Sequence, residues 1–271
     1  MTAVAALLLA ACGSSDPSPR AASAGSFPVY DWEPSGEIPP GPGAAGACRK
    51  VLVVGDSLAV ETAPFLQRRY DRSGYCAEVV NEAVSGSAPA SYHPDGKWTD
   101  EFRMQLAEHR PDLVVSFFNG NGGAALQPAN YDATTALIAI AAEHGVPMYW
   151  VLPPQSAYLC DWDEPDNRDG YLAYRRWVTS NVPGQAATVN GNVLTPNAGP
   201  SSGREGYNDT LRIGDEEEVV RDFDCVHLTD PGAAVVAHEI VFSTHGEWAV
   251  PGDHARARLH APCKRCAGRI G

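Results

Sequence analysis

Two short stretches carry residue types that can do nucleophilic chemistry together. Near the start of the apolar patterning, Gly55-Asp56-Ser57-Leu58 presents a serine. A neutral hydroxyl attacks poorly unless a base takes its proton. Far along the chain, Asp224-Cys225-Val226-His227 sets an acid three residues before a histidine. Histidine titrates near neutrality, so it can accept that proton and later return it to a leaving group. A carboxylate on the same turn can reach the ring Nδ1, fix its tautomer and stabilise the imidazolium. Each signal alone is weak. A serine at a helix start is commonly a cap, and eight histidines make a chance Asp-x-x-His easy. Asp222 is a second acid within reach of His227, but the spacing favours Asp224. Asp56 reads as a structural neighbour that hydrogen-bonds the turn.

The surrounding elements decide whether these groups can meet. Lys50 to Gly55 is a β-branched apolar run ending in glycine, as a buried strand does. Leu58 to Tyr70 has helical spacing. Ala77 to Asn81 predicts a strand, Thr99 to His109 a helix, Leu113 to Phe118 a strand and Asp132 to His144 a helix stopped by Gly145. Pro147 to Leu152 is another buried strand, and Gly170 to Val182 a helix. Asn197 to Arg212, rich in Gly, Ser and Asn, predicts a surface loop. A last helix is expected from Asp230, as N-cap with Pro231 in its first position, to Thr244. Strands alternating with helices imply a parallel sheet covered on both faces, an α/β three-layer sandwich of flavodoxin-like type. Ser57 then lies at the carboxyl end of the first core strand, where open parallel sheets place their active sites.

Taken in order, these motifs resemble those of the SGNH (GDSL) hydrolase family, over roughly Arg49 to Thr244. The resemblance implies a Ser57, Asp224 and His227 triad and two further motifs between. The family's oxyanion-hole glycine after the second strand matches Gly86, in Asn81-Glu82-Ala83-Val84-Ser85-Gly86. Its asparagine after the third matches Asn121, in Phe118-Asn119-Gly120-Asn121. The Ser57 N–H completes the hole. Asn119-Gly120-Asn121-Gly122 departs from the usual Gly-x-Asn-Asp, which leaves Asn119 as the alternative donor. The expected activity is hydrolysis of carboxylic, short-chain acyl esters through an acyl-enzyme, with no cofactor and no metal. Transfer or removal of acyl groups on cell-surface polysaccharide is the first alternative. An inactive binding lipoprotein is the second, and the intact Ser57, Asp224 and His227 argue against it. Tyr149, Trp150 and Trp162 are candidates for an acyl or sugar pocket, although such aromatics more often pack in a core.

Composition bounds the setting. The formal net charge of −13 over 271 residues repels phosphate backbones and excludes nucleic acid as a partner. The apolar run from Ala3 to Ala11 ends in Leu9-Ala10-Ala11-Cys12, which resembles a lipobox; residues 1–12 read as a lipoprotein-type signal and Cys12 as the lipidated residue. The run is shorter than the ~20 residues a bilayer span needs. No Lys or Arg precedes it, so the true start is expected elsewhere. Residues 13–47 read as a Pro/Gly/Ser/Ala-rich tether, 48–246 as the catalytic domain and 247–271 as a basic tail. The protein is expected outside the cytoplasm, lipid-anchored to the outer face of the membrane or secreted. It is expected to be a monomer acting on a small-molecule or glycan-linked ester. With Cys12 set aside, Cys48, Cys76, Cys160, Cys225, Cys263 and Cys266 are an even number, and export makes them disulfide candidates. A Cys160–Cys225 bridge would stiffen the histidine turn. Cys263 and Cys266 with His254 and His260 also have zinc-ligand types, but an exported chain favours disulfides.

Overall fold

The computed structural model describes residues 27–43, 48–92, 96–155, 165–196, 198, 207–222 and 224–248. Eight strands and five α-helices follow in the order β1 (Tyr30–Asp31), β2 (Arg49–Gly55), α1 (Ser57–Arg72), β3 (Ala77–Asn81), α2 (Trp98–His109), β4 (Leu113–Phe117), α3 (Gln127–Glu143), β5 (Met148–Val151), α4 (Pro165–Asn181), β6 (Ala187–Val189), β7 (Thr210–Ile213), β8 (Glu216–Val219) and α5 (Asp230–Thr244). Five strands form a parallel sheet in the order β3-β2-β4-β5-β6. Helices cover both of its faces, so the expected three-layer α/β sandwich is the observed one.

Side-chain alternation explains the layering. Successive strand residues point to opposite faces. Val51 and Val53 of β2, with Leu113, Val115 and Phe117 of β4, therefore pack into one core with α1 and α5 residues such as Leu66 and Ile240. Leu52 and Val54, with Val114, enter the other core beside Phe102 of α2, Leu137 of α3 and Tyr174 of α4. β2 lies between β3 and β4, pairing Val53 with Asn81 on one side and with Val115 on the other. The chain leaves β2 for β3 and returns across it to β4. That reversal opens a crevice beyond the carboxyl ends of β2 and β4, where doubly wound sheets bind ligands.

Three expectations need correction. The predicted loop 197–212 ends in a strand: β7 pairs antiparallel with β8 across the two-residue turn Gly214-Asp215, and β1 joins β7 in a second, three-stranded sheet. Part of the predicted tether is thus packed on the domain. Phe27 meets Tyr207 edge-on, Trp32 meets His238, and Glu239 accepts the Ser35 N–H. The abundant Pro and Gly masked the few aromatic anchors. Past 246, Trp248 is buried against Tyr70 and Tyr75 and donates to the Cys76 carbonyl at 2.8 Å, so the first residues assigned to the tail belong to the core. The edge strand β6, three residues long, is too short to show a pattern.

Cys48 and Cys76 form a disulfide that ties the starts of β2 and β3. Cys225 is also disulfide-bonded. Cys12, Cys160, Cys263, Cys266, His254, His260 and Trp162 lie outside the described residues. Among the described residues, no helix is long and apolar enough to cross a membrane. The Cys48–Cys76 bridge closes a segment of 28 residues, a loop length whose closure entropy is worth about 3 kcal/mol. The Cys48→Ser/Cys76→Ser variant is expected to lose about that much unfolding free energy in urea; unchanged stability would show that strand pairing alone holds this edge.

Candidate active site

The site is assembled where β2 turns into α1. Gly55 passes so close to β4 that a Cβ there would fall 2.0 Å from the Phe117 carbonyl oxygen. Only glycine permits that approach. Asp56 follows as the helix N-cap, its Oδ1 accepting the Leu58 N–H at 3.1 Å. Ser57 is the first helical residue and not the cap. Its backbone N–H points along the positive end of the α1 dipole. Across the crevice, the Asp56 Oδ2 accepts the Asn119 N–H at 2.6 Å. Asp56 is fully buried, and burial pushes its carboxyl up to about 7, against the two backbone N–H groups that favour its charge.

The loop after β3 is fastened to the same point. Val84 N–H donates to the Gly55 carbonyl at 3.0 Å, and the Ser87 hydroxyl donates to Gly55 and Val84 carbonyls at 3.1 and 2.7 Å. Gly86 sits between them at φ +78° with open space where a Cβ would be. Among the described residues, neither the Ser57 nor the Gly86 N–H is spent on another protein group. The Asn121 Nδ2 donates to the Ser87 carbonyl at 2.7 Å and lies 3.5 Å from Asp56 Oδ2. Asn119 is 2% exposed and takes the inner position. Asn121 is the less buried of the two asparagines.

The histidine turn closes the site from the other side. Asp224 Oδ1 accepts the Val226 and His227 N–H groups at 2.9 and 3.0 Å, while its Oδ2 bonds His227 Nδ1. Burial opposes the Asp224 charge, but the imidazole and both N–H groups outweigh it and hold the carboxyl at about 2. The same bond raises the His227 pKa above its ordinary value, against partial desolvation, with Glu61 and Asp56 adding to the rise. Asp224, not Asp222, is the ring's carboxylate partner, and the Asp222 backbone N–H donates to the His227 carbonyl at 2.9 Å. Cys225 takes φ +61° in this turn. The remaining ring nitrogen, Nε2, lies 3.9 Å from Glu61 Oε1. Glu61 stands one turn beyond Ser57 on α1, so the ring is brought against the face that carries Ser57.

Three side chains that sequence reasoning passed over complete the assembly. Glu61 Oε2 accepts the Leu228 N–H at 2.8 Å, fixing the histidine turn to α1. Arg221, fully buried, braces the turn from beneath by donating to the Val226 and Gln155 carbonyls. Tyr171 of α4 packs on Val226 and donates to Asn121 Oδ1 at 2.9 Å. The i, i+4 spacing of Ser57 and Glu61 was a usable signal; Tyr171 and Arg221 carry none. Tyr149 and Trp150 do not line the crevice: Trp150 is in the core stacked near Phe118, and the Tyr149 hydroxyl donates to Glu247. Among the described residues, no group of three or more His, Cys, Asp or Glu is placed to hold a metal.

Residues 50–243 match the family model described as "Protein of unknown function (DUF459)". The chain belongs to this family. Among curated proteins, none matches the chain. Two solved structures define the fold to which the DUF459 chain is similar. One is TesA, at 19% identity and TM-score 0.51, covering 73% of this chain and 99% of that one. The other is the periplasmic domain of a lipopolysaccharide acetyltransferase from Salmonella ser. Paratyphi A, at 14% identity and TM-score 0.52, covering 72% and 83%. The DUF459 chain thus has the three-layer α/β fold expected from its sequence, and shares it with both.

Asp56 gives a test of the assembly. Because burial raises its pKa from 3.8 to about 7, its contribution to stability is full below the lower value and falls as the pH rises through the upper one. Asp56→Asn is expected to flatten the stability profile between those limits. It should also cost about 2 kcal/mol at the acid end, because an amide NH2 would face the Leu58 or Asn119 N–H. An unchanged profile in urea titrations across that range would remove Asp56 from this role.

Proposed function

We propose that this chain is an exported serine esterase that hydrolyses short-chain acyl esters through an acyl-enzyme. The observation that supports it most is the convergence of three independent segments. Asp224 and His227 form a bonded pair, Nε2 is turned to the Ser57 face of α1, and unspent backbone donors lie at Ser57 and Gly86. His227 removes the Ser57 Oγ proton as Oγ attacks the ester carbonyl. The oxyanion that forms is held by the Ser57 N–H, the Gly86 N–H and Asn121 Nδ2, each such donor being worth ~3 kcal/mol in the transition state. The intermediate collapses by breaking the bond to the alcohol, which leaves with the proton from His227. Water then gives a proton to His227 and its oxygen to the acyl carbon; the bond from that carbon to Ser57 Oγ breaks as His227 returns the proton to Oγ, and the acid departs. If a sugar hydroxyl replaces that water, the same steps transfer the acyl group.

The Cys48–Cys76 and Cys225 disulfides support a site of action outside the cytoplasm, since such bonds persist in oxidising compartments. Anchoring through a lipid on Cys12 and action as a monomer complete the proposal.

Ser57→Ala and His227→Ala are each expected to cut p-nitrophenyl acetate turnover by at least ~10³-fold with the fold intact; wild type no faster than these variants would refute ester hydrolysis. Since His227 must be neutral to act and its pKa is raised by Asp224, kcat/KM should climb with pH through a midpoint above the ordinary histidine value. Asp224→Asn should move that midpoint down while slowing turnover. A midpoint that stays put would assign the limb to another group.

Tyr171 gets a positioning role, since its hydroxyl donates to Asn121 Oδ1 and so fixes which way the amide is turned, with Nδ2 on the Ser87 side. Tyr171→Phe should lower kcat about tenfold at nearly constant KM, a loss of one hydrogen bond's magnitude. In an Asn121→Ala background the same change should cost little further. An undiminished loss there would make Tyr171 merely structural.

A further inference from the structure

Beside the Glu61–His227 pair, between α1 and the start of α5, runs a groove of about 340 Å³ that the acyl chemistry above does not use. Its walls include Glu61, Phe65, Arg68, Leu228, Asp230 and Ala233. Glu61, on its wall, has Oε1 3.9 Å from His227 Nε2. That nitrogen is the atom that must protonate the departing alcohol or deprotonate an incoming hydroxyl. The oxyanion donors Gly86 and Asn121 belong to the loops after β3 and β4, across the crevice from the histidine turn. Whatever the ester oxygen carries is thereby directed along α1, into this groove.

The polar groups there are set out in advance. Glu61 is held by the Leu228 N–H through Oε2, which leaves Oε1 facing the groove mouth at His227. Arg68 lies over the Phe65 ring at 4.1 Å, a cation–π contact that holds the guanidinium in place. Arg68 and Asp230 make no ion pair among the described residues. These charges discriminate among alcohols. Two carboxylates against one guanidinium leave the groove with excess negative charge, which repels an anionic alcohol. An alkyl chain would strip water from all three without replacing its hydrogen bonds, which is costly. A neutral polyhydroxylated alcohol donates to the carboxylates and accepts from the guanidinium, and so satisfies each of them.

We infer that the groove between α1 and α5 is the binding site for the alcohol half of the ester, and that this half is a sugar. The inference rests on the esterase reading and narrows it to O-acylated carbohydrate. The test holds the acyl group constant and varies the alcohol: methyl 6-O-acetyl-glucopyranoside, ethyl acetate and hexyl acetate. Wild type is expected to prefer the sugar acetate over ethyl acetate by about tenfold or more in kcat/KM, the worth of one charge-assisted hydrogen bond. Arg68→Ala and Asp230→Ala should each lower that ratio by a similar factor. Equal rates on sugar and ethyl acetates, a preference for hexyl acetate, or a ratio untouched by either substitution would overturn the sugar site while leaving the esterase standing. Should wild type hydrolyse none of the three, the esterase reading itself fails. The groove is then judged by NMR titration of Ser57→Ala with methyl glucopyranoside: shifts abolished by Arg68→Ala would keep the sugar site, and no shifts would overturn it.

Discussion

Asp56 is a carboxyl group with no access to solvent, placed where two strand ends and a helix start must be joined. One oxygen takes an N–H from the first turn of α1, and the other takes an N–H from the loop after β4. Glycine at 55 lets those segments come within reach, because any side chain there would strike the β4 backbone. Ser57, the asparagine loop and, through Gly55 and Ser87, the Gly86 loop are all fastened around this one residue. Burying the carboxyl costs free energy, which the raised pKa records. The return is a set of donors whose positions are fixed before any substrate arrives, which is what electrostatic stabilisation of an oxyanion requires.

The histidine side is built on a different principle. Its turn is closed by a short antiparallel bridge between Arg221 and Leu228, and side chains take up further backbone groups: Asp224 takes two N–H groups, Glu61 takes a third and Arg221 donates to the Val226 carbonyl. Asp224 does two jobs with two oxygens, one for the backbone and one for the ring. A buried arginine at the foot of the turn supplies positive charge beneath two carboxylates. Its own pKa is lowered by that burial, and its donors end on carbonyl oxygens. The result is a loop with the rigidity of an element interior, able to present His227 to α1 at a fixed angle.

The groove beyond Glu61 follows from the same packing. Helices α1 and α5 lie side by side over one face of the sheet, and their apolar residues form a single core. Near the start of α5 the two helices offer charged and aromatic side chains in place of that core. A polar recess next to the base is therefore a consequence of where the shared core ends.

What the sequence determined by itself was the order of elements and the residues able to do chemistry. Apolar runs bounded by glycine gave the strands β2 and β4, and residue type with spacing singled out Ser57, Asp224, His227, Gly86 and Asn121. These are local signals, written within a few residues of one another. Tertiary structure alone decided which asparagine is buried and which is half-exposed. Asn119 and Asn121 differ only in which side of a bending loop they occupy, and that side is set by a bond to Asp56, 63 residues away. It alone brought in Tyr171 and Arg221, whose types fit an ordinary helix or loop equally well, and it gave Glu61 its partners 166 and 167 residues away. It also drew Tyr30 and Trp248 out of segments whose composition suggested a tether and a tail. A few large aromatics suffice to anchor such a segment, and their partners cannot be read until the chain is folded.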